Sequence, residues 1–340
     1  MSEVSPKKAK ALILLSGGLD STLALSMMKE QNLDVVAVSF KTPFCNFDCG
    51  RGACGGRIGD TALKYGVKWF PVSIGEEYID MVRNPKHGYG SGMNPCIDCR
   101  VMMYRKAKDM MKELGADFIV TGEVLGQRPM SQNRRALEII EKESDLEGLI
   151  LRPLSAQLME PTLPEKAGVV DRKRLLAVQG RSRRVQIEMA KKIGWKDYPN
   201  PSGGCLLTEK AFSRRLRDLF KHVTHPSQND IDLLKVGRHL RIAEACKLVV
   251  GRNALENDEI KNLAQEDDVL LEAVSVPSPV ALLRGAFGDD ELKMAASVVA
   301  RYSDANGLES VDISVRRREG PATQLAAPPM AREVVPKLLL

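Results

Sequence analysis

Ser16-Gly17-Gly18-Leu19-Asp20-Ser21 follows directly on the apolar run Ala11-Leu12-Ile13-Leu14-Leu15. A short run with no polar interruption reads as a buried strand. The residues after the motif, 22–31, read as a helix whose Leu23, Leu25, Met27 and Met28 mostly face a core. Strand, Ser-Gly-Gly and helix start together make a phosphate cradle. Glycines let the backbone come close to an anion and accept unusual dihedrals. The N–H groups at the start of the helix add a positive field. The stretch lacks the Gly-Lys-Ser/Thr ending of a Walker loop, and it is not Gly-x-Gly-x-x-Gly.

Outward from this motif, strand-like runs recur at 35–40, 69–72, 118–121 and 149–151. Helical patterns lie at 58–65, 77–82 and 100–114. Alternation of this kind predicts an α/β fold with a doubly wound parallel sheet, whose ligands bind beyond the carboxyl ends of the strands. Residues 42–56, 88–99 and 122–132 are then the loops to watch, and Gln127 and Arg128 come within reach of a nucleotide. Residues 161–195 turn helical and basic, and Pro199-Asn200-Pro201-Ser202-Gly203-Gly204-Cys205 makes a tight loop. From about 230 onward the strand-like runs 248–250, 269–273 and 311–315 indicate a smaller, separate α+β domain. Three regions are therefore expected: a nucleotide-binding domain over 1–160, a basic segment with the Cys205 loop over 161–230 that completes the active site, and a C-terminal domain over 231–340. The Pro- and Ala-rich tail from Gly320 is expected to be ordered by packing on the rest.

With 44% hydrophobic residues in 340, the chain can bury more than one core. No apolar stretch approaches the ~18 residues of a membrane span. The polar start, residues 1–10, leads into a strand and not into a signal peptide. Seven cysteines, without an export signal, point to a reducing, cytoplasmic setting and to thiols with metal or redox roles. The four histidines, His87, His222, His225 and His239, are too few and scattered for a histidine-rich zinc site. A net charge of +6 is compatible with a polyanionic partner.

Cys96-Ile97-Asp98-Cys99 precedes the helical pattern at 100–114, and the positive end of a helix favours thiolates. The pair alone leaves zinc, redox and cluster roles open. Cys205, after Ser-Gly-Gly, is a third thiol able to project into a cavity. Cys45, Cys49 and Cys54 have a spacing that fits no standard zinc or cluster site. Cys246 reads as a buried structural thiol in a helical pattern at 243–247.

Ser16–Ser21 resembles the SGGxDS signature of the PP-loop ATP pyrophosphatases. The resemblance implies that Ser16, Gly17, Gly18 and Ser21 hold pyrophosphate and that Asp20 helps to place Mg²⁺. Adding Asn94-Pro95-Cys96 with Cys99, the Thr121-Gly122 turn and Cys205, the order over roughly 10–215 is similar to that of the tRNA thiouridylases. That likeness implies ATP bound at Ser16–Ser21, Thr121 and Gly122. It further implies adenylation of a base carbonyl oxygen, then sulfur transfer with release of AMP. Asp20, Cys99 and Cys205 would be catalytic. Two sulfur chemistries follow from it: Cys99 and Cys205 alternate as persulfide carrier and resolving thiol, or Cys96, Cys99 and Cys205 ligate a [4Fe–4S] cluster whose open iron takes hydrosulfide. Glu123 departs from the histidine common in the family, and 126–132 is not the usual continuation. Gly251-Arg252-Asn253-Ala254-Leu255-Glu256-Asn257-Asp258 resembles the NFACT-R family, an RNA-binding module. Arg316-Arg317-Arg318 and the Arg/Lys series over 172–192 add charge for phosphates. The expected partners are tRNA and a sulfur donor, with no membrane, and a homodimer is allowed. Two other readings stay open: a PP-loop enzyme that thiolates or amidates a small metabolite, and a nucleotide- or RNA-binding sensor without catalysis.

Overall fold

The computed structural model describes residues 8–45, 55–195, 205–305, 307–318 and 320–340. It divides into two compact units, Met1–Thr208 and Glu209–Leu340. The division falls ahead of the boundary at 230 expected from composition. Cys49, Cys54 and the Ser202-Gly203-Gly204 part of the Cys205 loop lie outside the described residues.

The first unit runs β1 (Lys10–Leu14), α1 (Leu19–Glu30), β2 (Asp34–Lys41), α2 (Gly55–Lys64), β3 (Lys68–Ser73), α3 (Glu76–Arg83), α4 (Cys96–Glu113), β4 (Phe118–Thr121), α5 (Arg134–Glu143), β5 (Ile150–Leu151), α6 (Leu163–Lys166) and α7 (Arg184–Lys192). Its five strands are all parallel, in the order β3-β2-β1-β4-β5. The central strand β1 shows why the sheet is covered on both sides. Ala11, Ile13 and Leu15 join the core cluster that contains α1 and α7 residues. Leu12 and Leu14 join the cluster that contains α4 and α5 residues. A parallel strand buried on both faces carries a continuous apolar run, and each fully buried Leu or Ile contributes roughly 1.5–3 kcal/mol. Asn133 starts α5 by accepting a hydrogen bond from the Ala136 amide at 2.9 Å.

The strand order reverses between β1 and β4, since β2 and β3 extend to one side of β1 and β4 and β5 to the other. At such a switch point the loops beyond the two carboxyl ends part and leave a crevice. Here those loops begin at Ser16 and Gly122. The chain over 161–195 is less helical than its composition suggested: α6 has four residues, and only α7 is longer than one turn. Its basic residues do not form one face. Arg172 pairs with Glu165 at 2.6 Å, and Arg174 donates to the Glu30 carbonyl at 2.9 Å.

The second unit runs α8 (Lys210–His222), α9 (Gln228–Leu233), β6 (Arg238–Ala243), β7 (Cys246–Val250), α10 (Ala254–Leu263), β8 (Val269–Ala273), β9 (Ala281–Gly285), α11 (Asp289–Tyr302), β10 (Val311–Arg317), β11 (Thr323–Ala327) and α12 (Val335–Leu338). Its strands form one antiparallel sheet in the order β11-β10-β8-β9-β7-β6. Cys246 therefore opens a strand, and the helical pattern expected at 243–247 is corrected. A five-residue window is too short to separate a two-residue from a 3.6-residue period. The thiol is buried, as expected. The tail from Gly320 forms β11 against β10.

Arg241, Lys247 and Arg284 face one another in register across β6, β7 and β9. Like charges directly opposite repel. Arg241 is paired with Asp218, and Arg284 with Asp230 at 2.9 Å and Asp268 at 2.6 Å. Lys247 is only 6% exposed, and its side chain makes no hydrogen bond or ion pair to a described residue. Burial, with Arg241 and Arg284 beside it, pushes its ammonium down to about 8. Among the described residues no helix is long and apolar enough to cross a membrane.

Candidate active site

The phosphate loop closes on itself. Gly17 takes φ +74°, a left-handed value that glycine adopts without strain. The Ser16 and Ser21 hydroxyls lie 3.1 Å apart, the Ser16 amide donates to Ser21 Oγ at 3.2 Å, and Ser21 Oγ donates to the Gly18 carbonyl at 3.0 Å. Gly18 caps α1 and supplies no side-chain acceptor, so the first amides of the helix stay open to an anion. Gly122 ends β4 against this loop. A Cβ there would lie 2.4 Å from both the Asp20 carbonyl carbon and the Ser21 nitrogen, so only glycine lets the two segments approach.

Asp20 stands in the first turn of α1. Gln127 Nε2 donates to its Oδ2 at 3.1 Å, while Oδ1 is buried with no partner among the described residues. Burial raises the carboxyl above its usual range, against the pull of Gln127 and of the Arg183 and Arg128 guanidiniums. Gln186, on α7, is wholly buried near Asp20, yet neither its amide nitrogen nor its oxygen makes a well-formed hydrogen bond. Arg183 and Gln186 were not foreseen as neighbours of Asp20. They arrive because 178–183 runs beside the loop after β4: Leu125 and Gln179 form a parallel bridge, and the Gly180 amide donates to the Leu125 carbonyl at 2.7 Å.

Glu123, next to Gly122, is 2% exposed and is the hub of a buried charge network. Its carboxylate accepts from Arg152 Nε at 3.1 Å and from the Tyr104 hydroxyl at 2.9 Å, and it forms an ion pair with Arg100, whose Nε lies 3.3 Å away. Arg152 continues to Glu141. The network explains a glutamate at this place: Arg100 and Tyr104 belong to α4, so Glu123 fastens the thiol-bearing helix to the end of β4. Burial and the Glu123 charge push the Tyr104 hydroxyl up.

Cys96 and Cys99 open α4, whose start lies at the same sheet edge as Ser16 and Gly122. Asp98 holds the approach to this helix by accepting from the Lys86 and His87 amides at 3.0 and 3.1 Å. The Met93 amide donates to the Leu207 carbonyl at 2.8 Å and ties the Cys205 turn to the same place. The Tyr78 hydroxyl donates to Cys99 Sγ at 2.9 Å. Cys45, on the loop after β2, is a further thiol of the group, close enough to Cys99, Cys205 and Tyr78 to act on their titration. All four are free cysteines.

Their protonation differs from the sequence expectation. The helix end was expected to favour thiolates, but burial pushes the Cys99 thiol up, and Arg100 only partly offsets this. Burial pushes Cys205 up to about 12. Desolvation of the charged form outweighs the helix field here. Among the described residues no three His, Cys, Asp or Glu side chains are arranged to hold a metal ion.

Comparison with known proteins bears on both units. Residues 7–158 match the thiamine biosynthesis protein (ThiI) family. Residues 237–338 match the NFACT protein RNA binding domain. Both resemblances read from short motifs are thus met by family matches that extend well beyond those motifs. A tRNA-specific 2-thiouridylase MnmA of Nitrobacter winogradskyi is 28% identical over 149 residues, which cover 40% of this chain and 36% of the relative. The chain spans about a third of the length of the curated relatives it matches. Among solved structures, a 4-thiouridine synthetase–RNA complex with bound ATP has a TM-score of 0.37 at 19% identity, covering 67% of this chain and 52% of the other. The U34-tRNA thiolase NcsA of Methanococcus maripaludis, with its [4Fe–4S] cluster, has a TM-score of 0.32 at 17% identity, covering 69% and 72%.

Proposed function

We propose that this chain is an ATP-dependent tRNA sulfurtransferase that adenylates a base carbonyl oxygen and replaces it with sulfur. The observation that carries the reading is one sheet edge bearing both a lysine-free phosphate loop with an unpartnered buried carboxylate oxygen and a group of free thiols. Neither half alone is specific. Together they supply the two steps of thiolation, activation by ATP and delivery of sulfur. The match of residues 7–158 to the ThiI family and the tRNA-modifying relatives support it. The NFACT match supports an RNA substrate, which in this reading the second unit captures.

In this reading Ser16, Gly17, Gly18 and Ser21 hold the phosphates, and Thr121 and Gly122 line the nucleotide. The unpartnered Asp20 Oδ1 would hold a Mg²⁺ ion, which offsets phosphate charge when bound. Cys99 and Cys205 carry and resolve the sulfur, with Cys96 beside them. A [4Fe–4S] cluster is the other occupant this donor set suits. As they stand the thiols do not converge on a metal position, and Cys99 and Cys205 hold their protons, so ligation would require both to change. A cytoplasmic setting and a persulfide or hydrosulfide donor complete the proposal.

The test uses the full chain purified without oxygen, with ATP, unmodified tRNA and, in separate arms, sulfide or a persulfide donor. Nucleoside mass spectrometry should find a thiolated uridine, formed together with AMP and pyrophosphate. AMP formation that is indifferent to RNA would overturn the reading in favour of a small-molecule substrate. Iron and acid-labile sulfide analysis of the same sample decides between cluster and persulfide.

A further inference from the structure

The phosphate loop contains an acid and no cation. A Walker loop answers the charge of its nucleotide with a built-in lysine, so here the positive charge must come from elsewhere in the fold. Two guanidiniums are placed to supply it. Arg128 follows Gln127 on the loop after β4, and Arg183 stands at the start of α7. The parallel bridge between Leu125 and Gln179 runs their two segments side by side. Both side chains act on Asp20 through space, but neither forms an ion pair with it or a hydrogen bond or ion pair with any other described residue. Arg183 Nε is buried and unpartnered. Beside it Gln186 has no exposed area and faces Asp20, yet among the described residues neither its amide atoms nor Asp20 Oδ1 makes a well-formed hydrogen bond.

Buried, open hydrogen-bonding atoms on Asp20, Arg183 and Gln186, gathered in one place, are costly unless a polar ligand completes them. Open guanidinium forks suit the paired oxygens of a polyphosphate. We propose that Arg128 and Arg183 form a clamp on the β- and γ-phosphates, with Gln186 as the buried amide that completes it.

This inference rests on the ATP reading above and deepens it. When the substrate oxygen bonds to the α-phosphorus, the bond to the bridging oxygen breaks and its electron pair leaves with pyrophosphate. The clamp lies where that charge collects. It is therefore a device for the leaving group, and nucleotides that lack the β- and γ-phosphates do not engage it.

The experiment compares the full-length protein with Arg183→Ala, Arg183→Lys, Arg128→Ala and Arg184→Ala. Titration calorimetry measures ATP, AMP and inorganic pyrophosphate. Each alanine variant of the clamp is expected to weaken ATP and pyrophosphate by roughly ten-fold or more, the loss of a charge-assisted contact, and to leave AMP within about two-fold. Arg183→Lys should recover part of the loss, since it keeps the charge and not the fork. Arg184, 87% exposed, is the control, and its variant should match the parent for all three ligands. Equal losses for AMP and ATP, or no loss in either clamp variant, would overturn the proposal. A parent protein that binds pyrophosphate through the clamp and not ATP would sink the ATP reading while leaving the clamp standing.

Discussion

Replacing Lys247 by methionine should stabilise the second unit at neutral pH. The side chain sits in β7 between Arg241 and Arg284, with His239 diagonal to it on β6, and it is nearly buried. Asp218 and Asp230 favour its charge, but they are engaged by the two arginines, and burial dominates. Moving the ammonium from 10.5 to about 8 corresponds to on the order of 3 kcal/mol against the charged form. Below about pH 8 the lysine is charged in folded and unfolded chains alike, so the folded state bears all of that cost. Between about 8 and 10.5 the unfolded chain binds the extra proton, so stability rises with pH and the cost disappears. Methionine has a similar length and no charge to desolvate. Lys247→Met should therefore gain up to about 3 kcal/mol at pH 7, and the gain should shrink toward zero above pH 10. Both tryptophans, Trp69 and Trp195, belong to the first unit, so their fluorescence does not report this transition. Urea titrations read by pulsed hydrogen exchange and mass spectrometry, on peptides spanning 238–250, do report it. A variant less stable than the parent at pH 7, or a difference that does not change between pH 7 and 10, would refute the reasoning and show that Lys247 is held by a favourable ion pair.

Three further outcomes follow from the first unit. Gly122→Ala should abolish ATP binding in calorimetry, because its Cβ meets the Asp20–Ser21 backbone at 2.4 Å and must push the phosphate loop away. Arg152→Met should lower stability by about 3–5 kcal/mol in chemical denaturation, since it leaves Glu123 and Glu141 without their shared cation in a buried site. Cys99 and Cys205 should alkylate far more slowly at pH 8 in the folded protein than in urea, as burial holds both protonated and only the thiolate reacts; peptide mapping after iodoacetamide treatment reads the two rates.

The first unit was legible because its signals are local and agree. The run at 11–15 has no polar residue to face solvent, which in a parallel sheet is what a doubly covered strand requires. The observed β1 carries one core on each side. The glycines of the phosphate loop announce the turn that follows. In the second unit the strands at 248–250, 269–273 and 311–315 were readable because each is richer in apolar residues than the four residues before it. Cys246 was not, since a hairpin turn at 244–245 separates β6 from β7 and cuts both periods short.

What the sequence could not convey is which distant segments share the site, and what burial does to them once there. Nothing near Arg183 or Gln186 in the chain points to Asp20. They reach it only because the strand order reverses at β1 and β4, which opens the crevice that 178–186 then lines. The Cys45 thiol joins Cys96, Cys99 and Cys205 by the same logic, since β2 and α4 present their loop and helix start at one sheet edge. The thiols show the limit most plainly. Cys-x-x-Cys at a helix start is a sound local argument for thiolates, and the helix field is present. Yet that field acts on a group whose charged form has lost its water, and the loss is the larger quantity. A site that handles sulfur would gain from this arrangement. Burial would keep Cys99 and Cys205 protonated until a substrate, a donor or a metal enters and changes the charge around them, which would confine their reaction to the assembled complex.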